Sequence, residues 1–307
     1  MERKYYFIVN THSKTGGAAK QWDILKQRLD FLKVDYEAYI TEYVHHGIEL
    51  AKKLTEGEEV VNLVVCGGDG TVNEVLNGIT DLSKVNFGYI PLGSANDFAR
   101  GLEMTGEPIQ ILDNIIGSDA IDSIDVGLVQ WDGGSRRFII SAGAGIDAAV
   151  CREAQVSKLK NILNKIKLGG ATYGLLTVKN LFTAPLVNGN ITFADGRTKR
   201  LNKIIFGAAM NFSCEGGGVP MAPKADARDG KLSMCMVSGL SKLICLMKFP
   251  LLLMAKHEKI VGFDIIDSES FTIEFDRPMV VHADGEDCGD IDKVTFRCLP
   301  KELKMIK

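Results

Sequence analysis

The sequence predicts a three-layer α/β domain followed by an antiparallel β-sandwich domain, and three observations carry that expectation. Roughly the first 126 residues alternate short apolar runs with stretches of helical spacing. The remainder turns to short β-rich runs separated by Gly, Asp and Asn clusters. At 307 residues the chain also exceeds one ordinary core, so two domains are the default.

In the first part, 5–9 reads as a strand, 18–32 as a helix and 36–40 as a strand. A helix at 46–54, a strand at 60–66, a helix at 73–79 and a strand at 86–90 follow. A last helix at 108–116 carries Pro108 near its start, a favoured position. Such alternation implies a mostly parallel sheet covered on both faces. The character changes at Ile124-Asp125-Val126-Gly127, which sets the expected domains at 1–127 and 128–299, with 300–307 returning to the first. Strands are expected at 128–131, 137–141, 190–193, 203–210, 232–237, 271–275 and 293–298, a sandwich or barrel pattern. Helical inserts at 148–182 and 240–257 interrupt it.

Composition narrows the classes. With 46% hydrophobic and 24% charged residues the chain is an ordinary globular protein. Its net charge of −3 argues against a general nucleic-acid binder. Seven cysteines without C-x-x-C spacing, several in apolar runs (Cys66, Cys235, Cys245), read as buried thiols in a reducing compartment. The run from Leu240 to Met254 is broken by Lys242, Lys248 and Pro250 and falls short of the ~20 residues a bilayer span needs. The expected location is cytoplasmic, with peripheral membrane contact open.

The strongest local signal is Gly67-Gly68-Asp69-Gly70-Thr71, directly after the apolar run 60–66 and before a helical stretch. Backbone amides of small residues and a helix N-terminus together favour a phosphate. The spacing fits neither a Walker loop nor G-x-G-x-x-G. A second turn, Pro91 to Arg100 with Ser94 and Asp97, leaves the next strand. A third, Asn10-Thr11-His12-Ser13-Lys14-Thr15-Gly16-Gly17, leaves the first. In Asp284-Gly285-Glu286 a strand delivers two carboxylates two residues apart, suited to a general base or, equally, to an Asp-Gly hairpin turn. Asp226 and Asp229, three apart in a turn, suit a hard cation or a plain Asx turn.

Taken in order, these segments resemble the bacterial diacylglycerol kinase catalytic-domain family of soluble lipid kinases, with sphingosine kinases, NAD kinases and 6-phosphofructokinases as relatives. The likeness rests on Gly67 to Val75, Pro91 to Arg100, Ala225 to Gly230 and Asp284 to Glu286, and covers essentially the whole chain. The first turn has Asn10-Thr11 where that family usually has Asn-Pro, and Ser94 where it usually has Thr. The resemblance implies a Rossmann-like N-terminal domain, ATP at the cleft before a C-terminal β-sandwich, and a lipid hydroxyl as acceptor. It implies nucleotide contacts from Asn10, Thr11, Ser13, Thr41, Gly67, Gly68, Asp69, Gly70, Thr71, Asn73, Glu74 and Ser94. Asp284 would be the general base, with Asp69, Asp97, Asp125 and Glu286 positioning Mg²⁺. Asp226, Asp229 and the Lys231 carbonyl would hold a structural Mg²⁺. Asp284→Asn is then expected to fold normally and lose about 10²-fold or more in turnover. A soluble acceptor such as NAD, or a non-catalytic nucleotide-binding regulator, stays as the alternative, and a homodimer is expected.

Two stretches bear on the bilayer. Residues 156–168 place Leu159, Ile162, Leu163 and Ile166 at helical spacing beside four lysines, a pattern that suits either an anionic surface or packing on the sandwich. For 240–254 packing into the core is the stronger expectation.

Overall fold

A computed structural model describes residues 3–13, 17–156 and 169–306. Two compact units emerge: Met1–Val126 with Pro300–Lys307, and Gly127–Leu299.

The first unit is built on parallel strands β1 (Lys4–Val9), β2 (Asp35–Ile40), β3 (Val61–Gly67) and β4 (Val85–Pro91), in the order β4-β3-β1-β2. Mostly buried, β1, β3 and β4 read as apolar runs, whereas the edge strand β2 is largely exposed, with Tyr36 and Tyr39 half-buried. Helix α1 (Gly17–Phe31) buries Ala18, Trp22, Leu25 and Leu29 at helical spacing. With Ile111, Leu112 and Ile115 of α5 (Pro108–Gly117) they cover Phe7, Val9, Val64 and Cys66 on one face. The other face takes α2 (His46–Thr55) and α3 (Asp69–Gly78), which pack together. They touch so closely that a Cβ on Gly78 would lie 2.2 Å from the Ile48 carbonyl oxygen. Lys304 and Met305 pair parallel with Asn86 and Phe87 and extend the sheet beyond β4.

In the second unit β7 (Ser141–Gly145) lies between β10 (Phe206–Met210) and β13 (Ser270–Ala283). Antiparallel pairing continues through β11 (Leu232–Val237) to β12 (Phe263–Ser268) on one side and from β13 to β14 (Glu286–Ile306) on the other. The first half of β13 instead pairs with β8 (Val187–Phe193), which pairs with β9 (Thr198–Ile204). A register shift between Glu274 and Met279 separates the halves, the usual way one strand serves two sheets. The hairpin of β5 (Ile121–Trp131) and β6 (Gly134–Phe138) completes the sandwich around Phe138, Phe271, Phe296 and Val281. Helices Ile146–Val156 (α6), Gly169–Thr183 and Lys242–Leu253 pack with the outer side of β10 and β11.

Several elements differ from expectation. Helix α3 starts at Asp69 rather than 73, so Gly70 and Thr71 belong to its first turn. Strand β7 reads Ser-Ala-Gly-Ala-Gly and lacks the β-branched residues by which strands announce themselves. The expected run 203–210 is two strands, β9 and β10, parted at Ile205, and Lys203 at φ 52° sits where β9 shifts register against β8. The basic stretch 156–168 lies outside the described residues from 157 onward. Helix Lys242–Leu253 does not pack as expected: it buries only Cys245 and Leu252, because its apolar residues are spread all round the helix and the sheet can cover one side. No helix among the described residues is long and apolar enough to cross a membrane.

Candidate active site

Strand β1 pairs with β2 on one side and with β3 on the other, so the chain changes its direction of winding between β1 and β3. The crevice outside the carboxyl ends of strands at such a point is where open α/β sheets hold ligands. A cavity of about 300 Å³ lies there. Asn10 and Ser13 line it from the end of β1, Gly68, Gly70, Thr71 and Glu74 from β3 and α3, and Gly93 and Ser94 from the end of β4.

The glycines are there for space. A Cβ on Gly93 would stand 2.5 Å from the Gly68 Cα, so the β3 and β4 exits meet backbone to backbone. A Cβ on Gly67 would stand 2.6 Å from Thr71 Oγ1. At Gly70 a Cβ would meet nothing within 4 Å. Gly68 is extended and caps α3, whose first-turn amides, like those of any helix, have no intrahelical acceptors. Asn10 joins the first turn to the second: its Nδ2 donates to Thr71 Oγ1 at 3.1 Å, and its Oδ1 accepts the His12 amide at 3.0 Å.

The acidic residues do more local work than their motif suggests. The Asp69 carboxylate accepts the amides of Asp97 (3.0 Å) and Phe98 (3.2 Å), which start the short helix α4 (Asp97–Gly101). It thereby fastens the second turn onto the first. Asp97 is buried and pairs with Arg100. Both Glu74 oxygens accept amides at the start of α2, from His45 at 3.0 Å and Gly47 at 3.1 Å. Buried Asp125 accepts the Lys301 amide at 2.7 Å. Thr41 is buried and its amide donates to the Val9 carbonyl, while Asn73 is buried within α3 and its carbonyl accepts from Asn77. Thr11, Thr41, Gly67, Asp69 and Asn73 do not line the cavity, although all lie in the three turns or beside them. Lys14, Thr15 and Gly16 fall outside the described residues.

In the second unit, Asp284 (φ 48°) and Gly285 (φ 85°) form the two-residue turn between β13 and β14. Positive φ at both positions is the type I′ hairpin geometry that Asp-Gly serves. The Asp284 side chain folds back: Oδ2 accepts the Ile139 amide at 2.8 Å, and Oδ1 those of Ile140 and Ser141 at 2.8 and 3.0 Å. This corrects the expectation that Asp284→Asn would fold undisturbed, because an asparagine must turn an NH₂ donor onto one of these N–H donors. Glu286 opens β14, half-buried, opposite Ala283.

A buried cluster that sequence reasoning did not single out supports this turn. His282 Nδ1 accepts the Gly285 amide at 3.1 Å, so the ring carries its hydrogen on Nε2, 2.6 Å from Asp147 Oδ2. Beside the pair, burial first and then the Asp147 charge push the Glu215 carboxyl up to about 8. One turn along α6 from Asp147, Arg152 makes a bidentate pair with Asp287 at 2.7 and 2.8 Å, so α6 grips the hairpin at two points. The one available signal was His282 at an inward position of an apolar strand, with Asp147 and Arg152 on one helix. Elsewhere, Asp226 Oδ1 accepts the Arg228 amide and Asp229 Oδ1 the Lys231 amide, two consecutive Asx turns. Burial, and behind it the carboxylates of Asp226 and Asp267, push the Asp229 carboxyl above its ordinary value against the opposing Lys231 amide.

Residues 4–129 match the diacylglycerol kinase catalytic domain, and residues 140–307 match the YegS C-terminal NAD kinase beta sandwich-like domain. The chain is 27% identical over 297 residues to YtlR of Bacillus subtilis (strain 168), provisionally named a lipid kinase, across 93% of this chain and 94% of that one. It is 30% identical over 217 residues to the diacylglycerol kinase of Staphylococcus aureus (strain JH9), across 69% of this chain and 64% of that one. Among solved structures, a diacylglycerol kinase from Bacillus anthracis str. Sterne superposes with a TM-score of 0.74, covering 99% of this chain and 96% of that one. At 22% identity that likeness carries the fold.

Proposed function

We propose that this chain, which belongs to the family of lipid kinases joining a diacylglycerol kinase catalytic domain to a YegS-type β-sandwich, transfers the γ-phosphate of ATP to the hydroxyl of diacylglycerol or a related lipid. The observation that carries the reading is the cavity at the ends of β1, β3 and β4. Glycines there hold two turns backbone to backbone, and the start of α3 with Gly70 beside open space faces it. Amides and a helix N-terminus suit a polyphosphate. The first unit would therefore hold the donor, and Ser13, Thr71 and Ser94 would add hydroxyl contacts.

Phosphoryl transfer depends chiefly on positioning and on neutralising charge spread over the transferred group. In the reading proposed, Asp284 takes the proton of the acceptor hydroxyl while its carboxylate is held in one orientation by the three amides. Asp69 keeps the Asp97 turn in place at the donor end. Mg²⁺ would supply charge neutralisation on the phosphates, and Asp97, Asp125 and Glu286 are the carboxylates offered for it through waters. Asp226 and Asp229, with the Lys231 carbonyl, have the oxygen-only chemistry of a hard-cation site, and crowding of carboxylates around Asp229 fits that use.

Incubation with γ-labelled ATP and Mg²⁺ against diacylglycerol, monoacylglycerol, phosphatidylglycerol and a sphingoid base, with NAD as the soluble control, tests the reading. Label in the organic phase is the expected result. Label confined to NAD, or ATP bound with no acceptor labelled, overturns it.

A further inference from the structure

The helix Lys242–Leu253 is apolar nearly all round, yet only one side is covered. Leu243 (61% exposed), Met247 (73%), Leu251 and Met254 (56%) recur at helical spacing on its open side, with Ile244 and Leu253 beside them. The neighbouring helix Gly169–Thr183 adds Leu175, Val178 and Phe182, again at helical spacing and exposed. The two helices pack together, with Leu181, Cys245, Leu246 and Phe249 in one apolar cluster and Val178 at the edge of a small cavity between them. Lysines then tie the outer helix to its support: Lys242 Nζ donates to the Phe182 and Ala184 carbonyls, and Lys248 Nζ to the Val261 carbonyl. The apolar side chains are thus displayed on a fixed platform, and a contiguous patch of this kind marks an interaction surface.

We propose that this platform docks the chain on an anionic lipid bilayer, with the helix lying in the headgroup region. Charge chooses between possible occupants. Residues 240–261 carry four lysines, Lys242, Lys248, Lys256 and Lys259, against one acidic residue, Glu258, which is paired with Lys224. The chain as a whole carries −3, so positive charge is gathered where apolar residues are exposed. A second copy would bring like charges together across the contact, whereas anionic headgroups attract them. With 12 residues at about 1.5 Å each, the helix is far too short to span the ~30 Å hydrocarbon core, so it lies on the surface. The inference extends the lipid-kinase reading, since a long-chain acceptor resides in such a bilayer, but its test needs no turnover.

Sedimentation of the full chain with phosphatidylcholine vesicles, alone or with 30% (about) phosphatidylglycerol, is the experiment, beside the triple variant Leu243→Ser, Met247→Ser, Met254→Ser. Expected are binding that favours the anionic vesicles and weakens with salt, and at least a roughly tenfold loss in the triple variant. The variant should melt as the parent does, because these side chains are exposed. No binding to anionic vesicles overturns the proposal, and so does equal binding by the variant. A parent that is dimeric in ultracentrifugation, with a monomeric variant, assigns the face to a second copy and overturns it too. Binding that persists although no lipid is ever phosphorylated leaves this inference standing and removes the kinase reading instead.

Discussion

Replacing Gly70 by alanine adds one methyl group in the first turn of α3, at a place where a Cβ meets no atom within 4 Å. Nothing among the described residues resists that methyl, and Gly70 has no positive φ to defend. Alanine in a helix is favoured over glycine by about 0.5 to 1 kcal/mol, and a first-turn site takes the lower figure. The unit holds roughly 130 residues, whose unfolding entropy of about 2.1 cal/mol/K each gives near 0.28 kcal/mol/K in total. Gly70→Ala should therefore raise the melting temperature of the empty protein by about 2 °C. Its effect on the ligand is opposite, because the methyl projects where phosphate oxygens would approach the helix amides. Displacing a reacting group by about 1 Å costs on the order of 10²-fold in rate, and we expect ATP affinity to fall at least about tenfold. Thermal melting without nucleotide and calorimetric titration of Mg·ATP measure the two sides separately. A variant that melts slightly higher yet binds ATP as tightly as the parent refutes the placing of phosphate at α3. One that melts lower refutes the space assigned to Gly70.

Other outcomes follow from the second unit. Asp284→Asn should lose about 10²-fold or more in turnover and also about 1 to 3 kcal/mol of stability, since one amide donor is left facing a donor; unchanged turnover removes Asp284 as base. His282→Asn keeps an oxygen near the Nδ1 position for the Gly285 amide, whereas His282→Gln reaches toward Asp147 instead. If holding the turn is the task of the ring, turnover survives better in the Asn variant by about tenfold, and equal loss in both makes His282 ordinary core. Glu215 keeps its proton in the fold to about pH 8, whereas an unfolded glutamate loses it near 4.5. Between those values the unfolded chain binds fewer protons, so stability falls as pH rises through that window. Denaturant melts at pH 5 and 8.5 should show the fall, and Glu215→Gln should flatten it; an unchanged pH dependence sinks the assignment.

The parts of the site legible in the sequence are those where backbone geometry restricts residue choice. Gly67 and Gly93 had to be glycine because a Cβ there would run into Thr71 or the Gly68 backbone, and Asp284-Gly285 announces its turn by the positive φ both positions need. Roles that rest on long-range partners were not legible. Asp69 and Glu74 read as ligand contacts, yet each also accepts two amides of another helix start, α4 and α2, which no local pattern reveals. The α/β alternation was plain because parallel strands buried on both faces are apolar throughout. The expected strand 137–141 ends where β7 begins, because alanine and glycine fill β7: a Cβ on Gly143 would stand 2.3 Å from Asp147 Oδ2. For Lys242–Leu253 core packing was the stronger expectation, and its open side was not legible because hydrophobicity alone does not say whether a helix has anything to pack on.

The pairing of Lys304 and Met305 with β4 has a consequence for how the chain is made. Asp125 reaches the Lys301 amide across 176 residues, and all of the second unit is synthesised in between. While the ribosome is still building the sandwich, β4 is an edge with unpaired backbone groups, the kind of template that recruits foreign strands. The first unit to be translated is thus the last to be completed, and its final strand must be delivered after some 170 residues of unrelated structure have emerged. Such late closure favours slow maturation, and it places the chain's greatest exposure to misassembly between the two events.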